Sequence, residues 1–355
     1  MQKYNSKKQR NQVVAEFAKG YISPKRVDEV KCCCSWIKFV ENREGDASKW
    51  LEANSCNWRF CPLCSMRKSY RDALKIATVM AWIADEHTKD FIFLTLTVPN
   101  VKADKLRDTI DEMNKGWSRL FDRRAIADHA CHGYLRKFEM THDYQRIISQ
   151  DMWDGVNSHN GKPRAGYFTR LGLKVGDKNP NFDTYHPHFH AIIVVNKSYF
   201  KSRDYISQAK WLEMWRESMR NPAITQVDIR RVNRRADSVE IAGSFDVKEF
   251  AKYSAKDFDF IVNAEVFDVF YHGLKGRRHH TFNGLFSTGN KKFKAGELES
   301  YIMKDKTEYM FEVLYRWGGT KYSEHRRTRL YPELDERLTL ERGIIIAPPE
   351  ESDEC

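Results

Sequence analysis

The sequence predicts an α+β fold: a central antiparallel sheet with flanking helices, preceded by a small N-terminal zinc-binding region. Three observations predict it. Two short apolar runs of strand character, residues 91–98 and 191–195, stand among helical stripes of large apolar residues, and six of the eight cysteines lie between Cys32 and Cys64.

Residues 1–31 carry Lys3, Lys7, Lys8, Arg10, Lys19, Lys25, Arg26 and Lys31 without a clear apolar period, and read as a basic arm that orders on DNA. After the cysteines, Met66, Tyr70, Leu74, Ala77 and Met80 recur at helical spacing. Residues 91–98, β-branched and aromatic, form a buried strand stopped by Pro99 and Asn100. Leu106, Ile110, Met113, Trp117 and Leu120 then line one face of an amphipathic helix and belong to the core. Alternation over 133–141 gives a second strand, and the polar stretch 144–183, with five glycines, reads as an insertion. A third strand runs through the histidines into 191–195, Trp211, Leu212, Trp215 and Met219 mark a helix, and 227–232 a further strand. A short helix over 247–254 is opened by Asp246, and the final residues are acidic and fray. Three regions result: a basic arm with the cysteine-rich zinc-binding region and a helix (1–88), a catalytic domain (89–262), and a C-terminal region (263–355) open to DNA binding or oligomerisation.

The 355 residues suffice for two or three domains, and 60 Lys+Arg against 49 Asp+Glu give a formal net charge of +11. That balance favours a polyanion, nucleic acid first. The apolar runs are far shorter than the roughly 20 residues of a spanning helix, which argues against a membrane. The N-terminus has charge without an apolar core, so it is no signal peptide, and clustered cysteines do not make a secreted disulfide framework. The expected compartment is the cytoplasm.

His186-Pro187-His188-Phe189-His190 is the most informative segment. Side chains two apart on a strand share a face, about 7 Å apart along the chain, so His188 and His190 can converge on one ion. Core histidines bonded to carbonyls give the same pattern, and the rest of the chain decides between the readings. Glu249, Tyr253 and Lys256 recur at i, i+4 and i+7 and share a helical face. A phenol beside a carboxylate, a lysine and a metal is a kit for phosphodiester transesterification; an amphipathic helix with a surface Glu/Lys pair is the plainer alternative. Nearby cations favour the phenolate of Tyr253.

Cys56-x4-Cys61-x2-Cys64 is a tight knuckle for Zn²⁺, with a fourth ligand from Cys32, Cys33 or Cys34 some 22 to 24 residues upstream. Redox chemistry is less suited, since such a motif needs no further cysteines. Arg59, Arg67, Lys68 and Arg71 follow or interleave it, so zinc would scaffold a basic, DNA-facing surface.

FLTLTVPN, HPHFHAIIVV and KEFAKYSAKDFDF, in that order behind CNWRFCPLC, resemble the replication initiators of rolling-circle plasmids, members of the His-hydrophobic-His (HUH) endonuclease superfamily. The resemblance covers roughly residues 30–262. It implies an HUH nuclease core in which His188 and His190 are metal ligands completed by an acid on a neighbouring strand, here Glu139, with Asp143 and Asp183 as substitutes. His186 would stand outside the metal shell or touch DNA. Tyr253 matches the nucleophile, and Glu249 falls where some relatives carry a second tyrosine and resembles the group that activates water to end replication. Cys33 fits the first zinc ligand by its Cys-x-Ser-aromatic order.

The implied activity is origin nicking with Mn²⁺ or Mg²⁺, a 5′-phosphotyrosine link and a free 3′-hydroxyl, then strand rejoining, with Lys256 offsetting charge. The implied partners are a single-stranded or hairpin origin on a supercoiled plasmid and the host helicase and polymerase, and oligomerisation stays open. Arg230, Arg231, Arg234 and Arg235, with Lys275, Arg277, Arg278, His279 and His280, are candidate phosphate contacts. A single-strand transposase of the same superfamily, or a non-catalytic zinc-dependent nucleic-acid binding protein, are the rival readings.

Overall fold

A computed structural model describes residues 1–155, 163–232, 260–302, 305 and 307–330. The fold is α+β with two antiparallel sheets, and the chain divides into two compact units. No helix among the described residues is long and apolar enough to cross a membrane.

In the first unit, strands β1 (Trp36–Glu41) and β2 (Ser48–Ala53) pair with two strands from the C-terminal part of the chain, β8 (Phe311–Trp317) and β9 (Tyr322–Arg329), in the order β2-β1-β8-β9. Phe39 stands opposite both Trp50 and Val313. One face buries Ile37, Phe39 and Val313, and Tyr4 packs edge-on to Phe39 with centroids 5.2 Å apart.

Tyr4 belongs to helix α1 (Gln2–Phe17), followed by α2 (Pro24–Cys32), which Ser23 caps by accepting from the Arg26 amide. The expectation of a DNA-ordered arm is corrected here. Helix α1 is docked through Asn11, Val14, Ala15 and two lysines, Lys7 and Lys8, all buried. A face that buries lysines has no hydrophobic period, so no apolar stripe announced it. Helix α3 (Pro62–Glu86) has Pro in its first turn and covers the helical stripe from Met66 to Met80.

The second unit holds a five-stranded sheet of β3 (Lys89–Thr97), β4 (Gly133–Asp143), β5 (Thr184–Asn196), β6 (Val227–Arg231) and β7 (His280–Asn283), ordered β6-β3-β5-β4-β7. The histidine strand β5 is central. One face is covered by α4 (Ala103–Phe121), where Trp117 meets Phe189 edge-on at 5.5 Å. The insertion carries α5 (Gln150–Asp154) and α6 (Ala165–Arg170) around a small core of Ile148, Met152 and Phe168. In α7 (Gln208–Met219), Trp215 Nε1 donates to the Thr97 carbonyl at 2.8 Å and ties the helix to β3. Helix α8 (Ala264–Leu274), capped by Asn263, also packs on α4. Residues beyond 262 thus supply β7 to one sheet and β8 and β9 to the other.

Gly133 and Gly284, the latter opening α9 (Gly284–Lys294), bridge β4 to the end of β7 in close backbone contact. Gly133 has φ +146, and a Cβ there would lie 2.6 Å from the Asn283 oxygen and the Leu285 nitrogen. Neither backbone atom can retreat without breaking the pairing, so Gly133→Ala should destabilise the protein by about 2–4 kcal/mol. Gly20→Ala, at φ +90 but in open space, should cost far less. Urea unfolding midpoints check this; equal losses in the two variants would contradict the clash.

Candidate metal centres and active site

The alternation of β4 and β5 places Glu139, His188 and His190 on one face of the second sheet, and antiparallel register does the rest: Glu139 pairs with His188, and Lys137 with His190. One oxygen of Glu139 and one nitrogen of each imidazole lie within 4.8 Å of one another, and all three residues are buried. His188 Nε2 is 3.9 Å from Glu139 Oε1, and His190 Nε2 is 3.4 Å from Glu139 Oε2.

The outer nitrogen of each ring has its own partner. His188 Nδ1–H donates to the His186 carbonyl at 3.1 Å, and His190 Nδ1 lies 3.0 Å from Thr95 Oγ1, which stands opposite it on β3. With Nδ1 of His188 committed to that carbonyl, its Nε2 lone pair faces the carboxylate, and His190 Nε2 faces the same group, the placement a metal ligand pair requires.

Electrostatics agree. Burial, then the neighbouring His190, pushes the His188 pKa down to about 3, so its imidazole is neutral. Burial opposes ionisation of Glu139, but its neighbours, the Lys137 ammonium first among them, hold the carboxyl well below its usual range. The set fits a divalent ion: two imidazole nitrogens and one carboxylate oxygen suit Mn²⁺ and admit Mg²⁺.

His186 stacks on His188 with centroids 5.2 Å apart but is not part of the triad. Asp143 is held by Arg164 at 2.9 Å and Asn179 at 2.8 Å, and Asp183 by His142 at 3.2 Å, so the two substitute acids are engaged elsewhere. Glu249, Tyr253 and Lys256 lie outside the described residues.

Two residues near the triad went unread in the sequence. Lys137 is fully buried with Nζ 3.3 Å from Glu139 Oε2, and Thr95 backs His190. The signal for Lys137 was present: it shares its strand face with Glu139, two positions on. Of the phosphate candidates, Arg234 and Arg235 lie outside the described residues. Arg231 pairs with Asp90, Arg277 with Asp111 and Arg230 with Asp228 at 3.4 Å; Arg230 also lies over the Phe93 ring, 4.8 Å from its centroid, on the triad's face of the sheet.

In the first unit, Cys33, Cys56, Cys61 and Cys64 bring their sulfurs within 4.8 Å of one another. Cys33 Sγ lies 3.4 Å from Cys64 and 3.6 Å from Cys61, and Cys56 Sγ lies 3.7 Å from Cys64. A tetrahedral zinc site with bonds of about 2.3 Å has sulfur–sulfur edges of about 3.8 Å, so the spacing fits. Cys32 is exposed and Cys34, at φ +53, stands outside the group. Backbone amides of Cys56 and Asn57 donate to Cys33 Sγ and Cys64 Sγ, each at 3.3 Å. Hydrogen bonds from Cys33, Cys56 and Cys61 pull the Cys64 thiol far down, while burial, then Cys33, Cys56 and Cys64, push Cys61 up.

A basic α+β chain with a buried His₂Glu cluster on a central strand and a four-cysteine knuckle belongs to the class of proteins that handle nucleic acid with two candidate metal centres. Its particular place follows from comparison. A family model described as "Replication protein" matches residues 47–324, and the chain belongs to that family, as the resemblance to plasmid replication initiators implied. "Protein rep" of Staphylococcus aureus is 36% identical over 264 residues, covering 74% of this chain and 96% of that one. "Protein rep" of Bacillus amyloliquefaciens is 30% identical over 78% of this chain and 75% of its own. "Protein rep" of Streptococcus pneumoniae is 27% identical over 83% and 82%. No solved structure matches the chain.

Proposed function

We propose that this protein initiates plasmid replication by nicking one strand of the origin in a metal-dependent transesterification, using an HUH nuclease core. The observation that carries the reading is the convergence of one nitrogen each of His188 and His190 with the Glu139 carboxylate on one sheet face, in a chain of the replication-protein family. Mn²⁺ or Mg²⁺ held by His188, His190 and Glu139 would polarise the scissile phosphate and orient it.

Tyr253 is the proposed nucleophile. Its phenolate oxygen attacks phosphorus, a tyrosyl–phosphate bond forms at the 5′ side, and the bond to the 3′ oxygen breaks, that oxygen leaving as a hydroxyl once protonated. Since one phosphoester is exchanged for another, the strand can be rejoined. Lys256 offsets charge at the phosphate, and Glu249 deprotonates the water that ends the cycle. In this reading the protein works in the cytoplasm, where host helicase and polymerase extend the free 3′-hydroxyl, and Zn²⁺ on Cys33, Cys56, Cys61 and Cys64 is structural.

The test uses a labelled single strand carrying the origin of the replicon that encodes the protein, with Mn²⁺. The wild type should form a covalent adduct that Tyr253→Phe does not, and unaltered cleavage in that variant would remove Tyr253 as nucleophile. Glu249→Ala should still form the adduct but release it slowly in water; normal release would refute the role given to Glu249.

A further inference from the structure

Lys8 on α1 is one of the most buried side chains of the first unit, with 1% of its surface exposed. Its Nζ donates to the Cys33 carbonyl at 2.6 Å and the Lys31 carbonyl at 2.8 Å. No carboxylate among the described residues pairs with it. Burying an ammonium is costly unless an anion offsets it, and carbonyl dipoles alone are weak compensation.

The cysteine knuckle would supply that anion, since the carbonyl that Lys8 holds belongs to Cys33, one of its four members. Four thiolates around Zn²⁺ leave a net double negative charge, and Cys33, Cys61 and Cys56 are themselves in an apolar cluster with Ile37, Leu63 and Met66. Arg26 also reaches the knuckle, donating to the Cys56 carbonyl at 2.5 Å, but its side chain is 37% exposed and pairs with Glu29. Of these two cations bonded to carbonyls of the knuckle's cysteines, Lys8 is the one shielded from water.

We propose that Lys8 is the buried countercharge of the zinc centre, which makes the N-terminal helix a working part of the metal module. The proposal rests on the reading of the four cysteines as a zinc site. Asn11, one turn along α1 and fully buried, supplies the control: its Nδ2 donates to the Val30 carbonyl at 2.6 Å and anchors the same helix without charge.

The experiment measures transfer of zinc from purified, full-length, zinc-loaded protein to a chromophoric chelator. Lys8→Gln keeps hydrogen-bond donors and drops the charge, and should weaken zinc affinity at least about tenfold. Lys8→Arg keeps the charge and Asn11→Leu removes only an anchor, so both should stay within about threefold of wild type. Lys8→Met is a second neutral variant should Lys8→Gln fail to accumulate. Wild-type affinity in the neutral variants overturns the proposal, as does an equal loss in Asn11→Leu, which would make α1 an anchor alone. Wild-type protein that contains no zinc by elemental analysis overturns the zinc reading itself, a separate result from either.

Discussion

Changing Cys61 to serine should strip zinc from the protein and unfold the first unit's sheet at physiological temperature. Cys61 is fully buried, and its sulfur is 3.6 Å from that of Cys33. The knuckle is not at the rim of the unit: Cys33, Cys56 and Cys61 share one apolar cluster with Ile37, Phe39, Met66 and Tyr322, residues from β1, the start of α3 and β9. Structural zinc sites of this kind contribute roughly 10–16 kcal/mol of apparent binding free energy, comparable to a domain's whole stability. A serine oxygen is a poor substitute for a thiolate and leaves a polar group among sulfurs and hydrocarbon. Elemental analysis should find zinc lost, and a thermal scan a melting point lowered by tens of degrees. Cys32→Ser and Cys131→Ser, outside the group, should retain the metal. One zinc per chain and an unchanged melting curve in Cys61→Ser would rule out the structural role.

The second large effect belongs to His190→Ala, expected to abolish adduct formation and weaken Mn²⁺ binding by more than about 100-fold. Losing only a residue that orients a metal ligand typically costs 10- to 100-fold, so losing the ligand should cost more. His190 is the ring closest to the carboxylate, 3.4 Å from Glu139 Oε2, and it links the triad to Thr95. His186→Ala removes a ring that stacks on His188 from outside the triad, and should spare most of the Mn²⁺ affinity. Titration of Mn²⁺ by electron paramagnetic resonance separates the two, and near-equal affinities in wild type and His190→Ala would mean the imidazoles hold no catalytic ion.

What the sequence made legible follows the physics of periodicity. The apolar runs of β3 and β5 and the helical stripe of α4 bury large side chains at regular spacing and so announce themselves. The first unit's sheet does not. Strand β1 interleaves Lys38 and Glu41 with its apolar residues, β9 is an edge strand in which only Tyr322 is buried, and the pairing of β1 with β8 joins distant segments of the chain, Trp36 with Arg316 and Glu41 with Phe311. Helix α1 hides its docked face behind lysines that bond carbonyls. For the third member of the histidine cluster, separation along the chain was the wrong measure. Glu139 and His188 are distant in sequence but directly paired, a fact that strand register determines and a linear reading does not expose.

The excursion between β4 and β5 departs at Asp143 and comes back at Thr184, and those two residues face each other across the ladder. Because it closes on itself and carries its own core, this lobe is a cassette: lengthening, trimming or exchanging it leaves the offset between Glu139 and His188 untouched. The alignment of Glu139 with His188 is thus set by the ladder and not by the lobe.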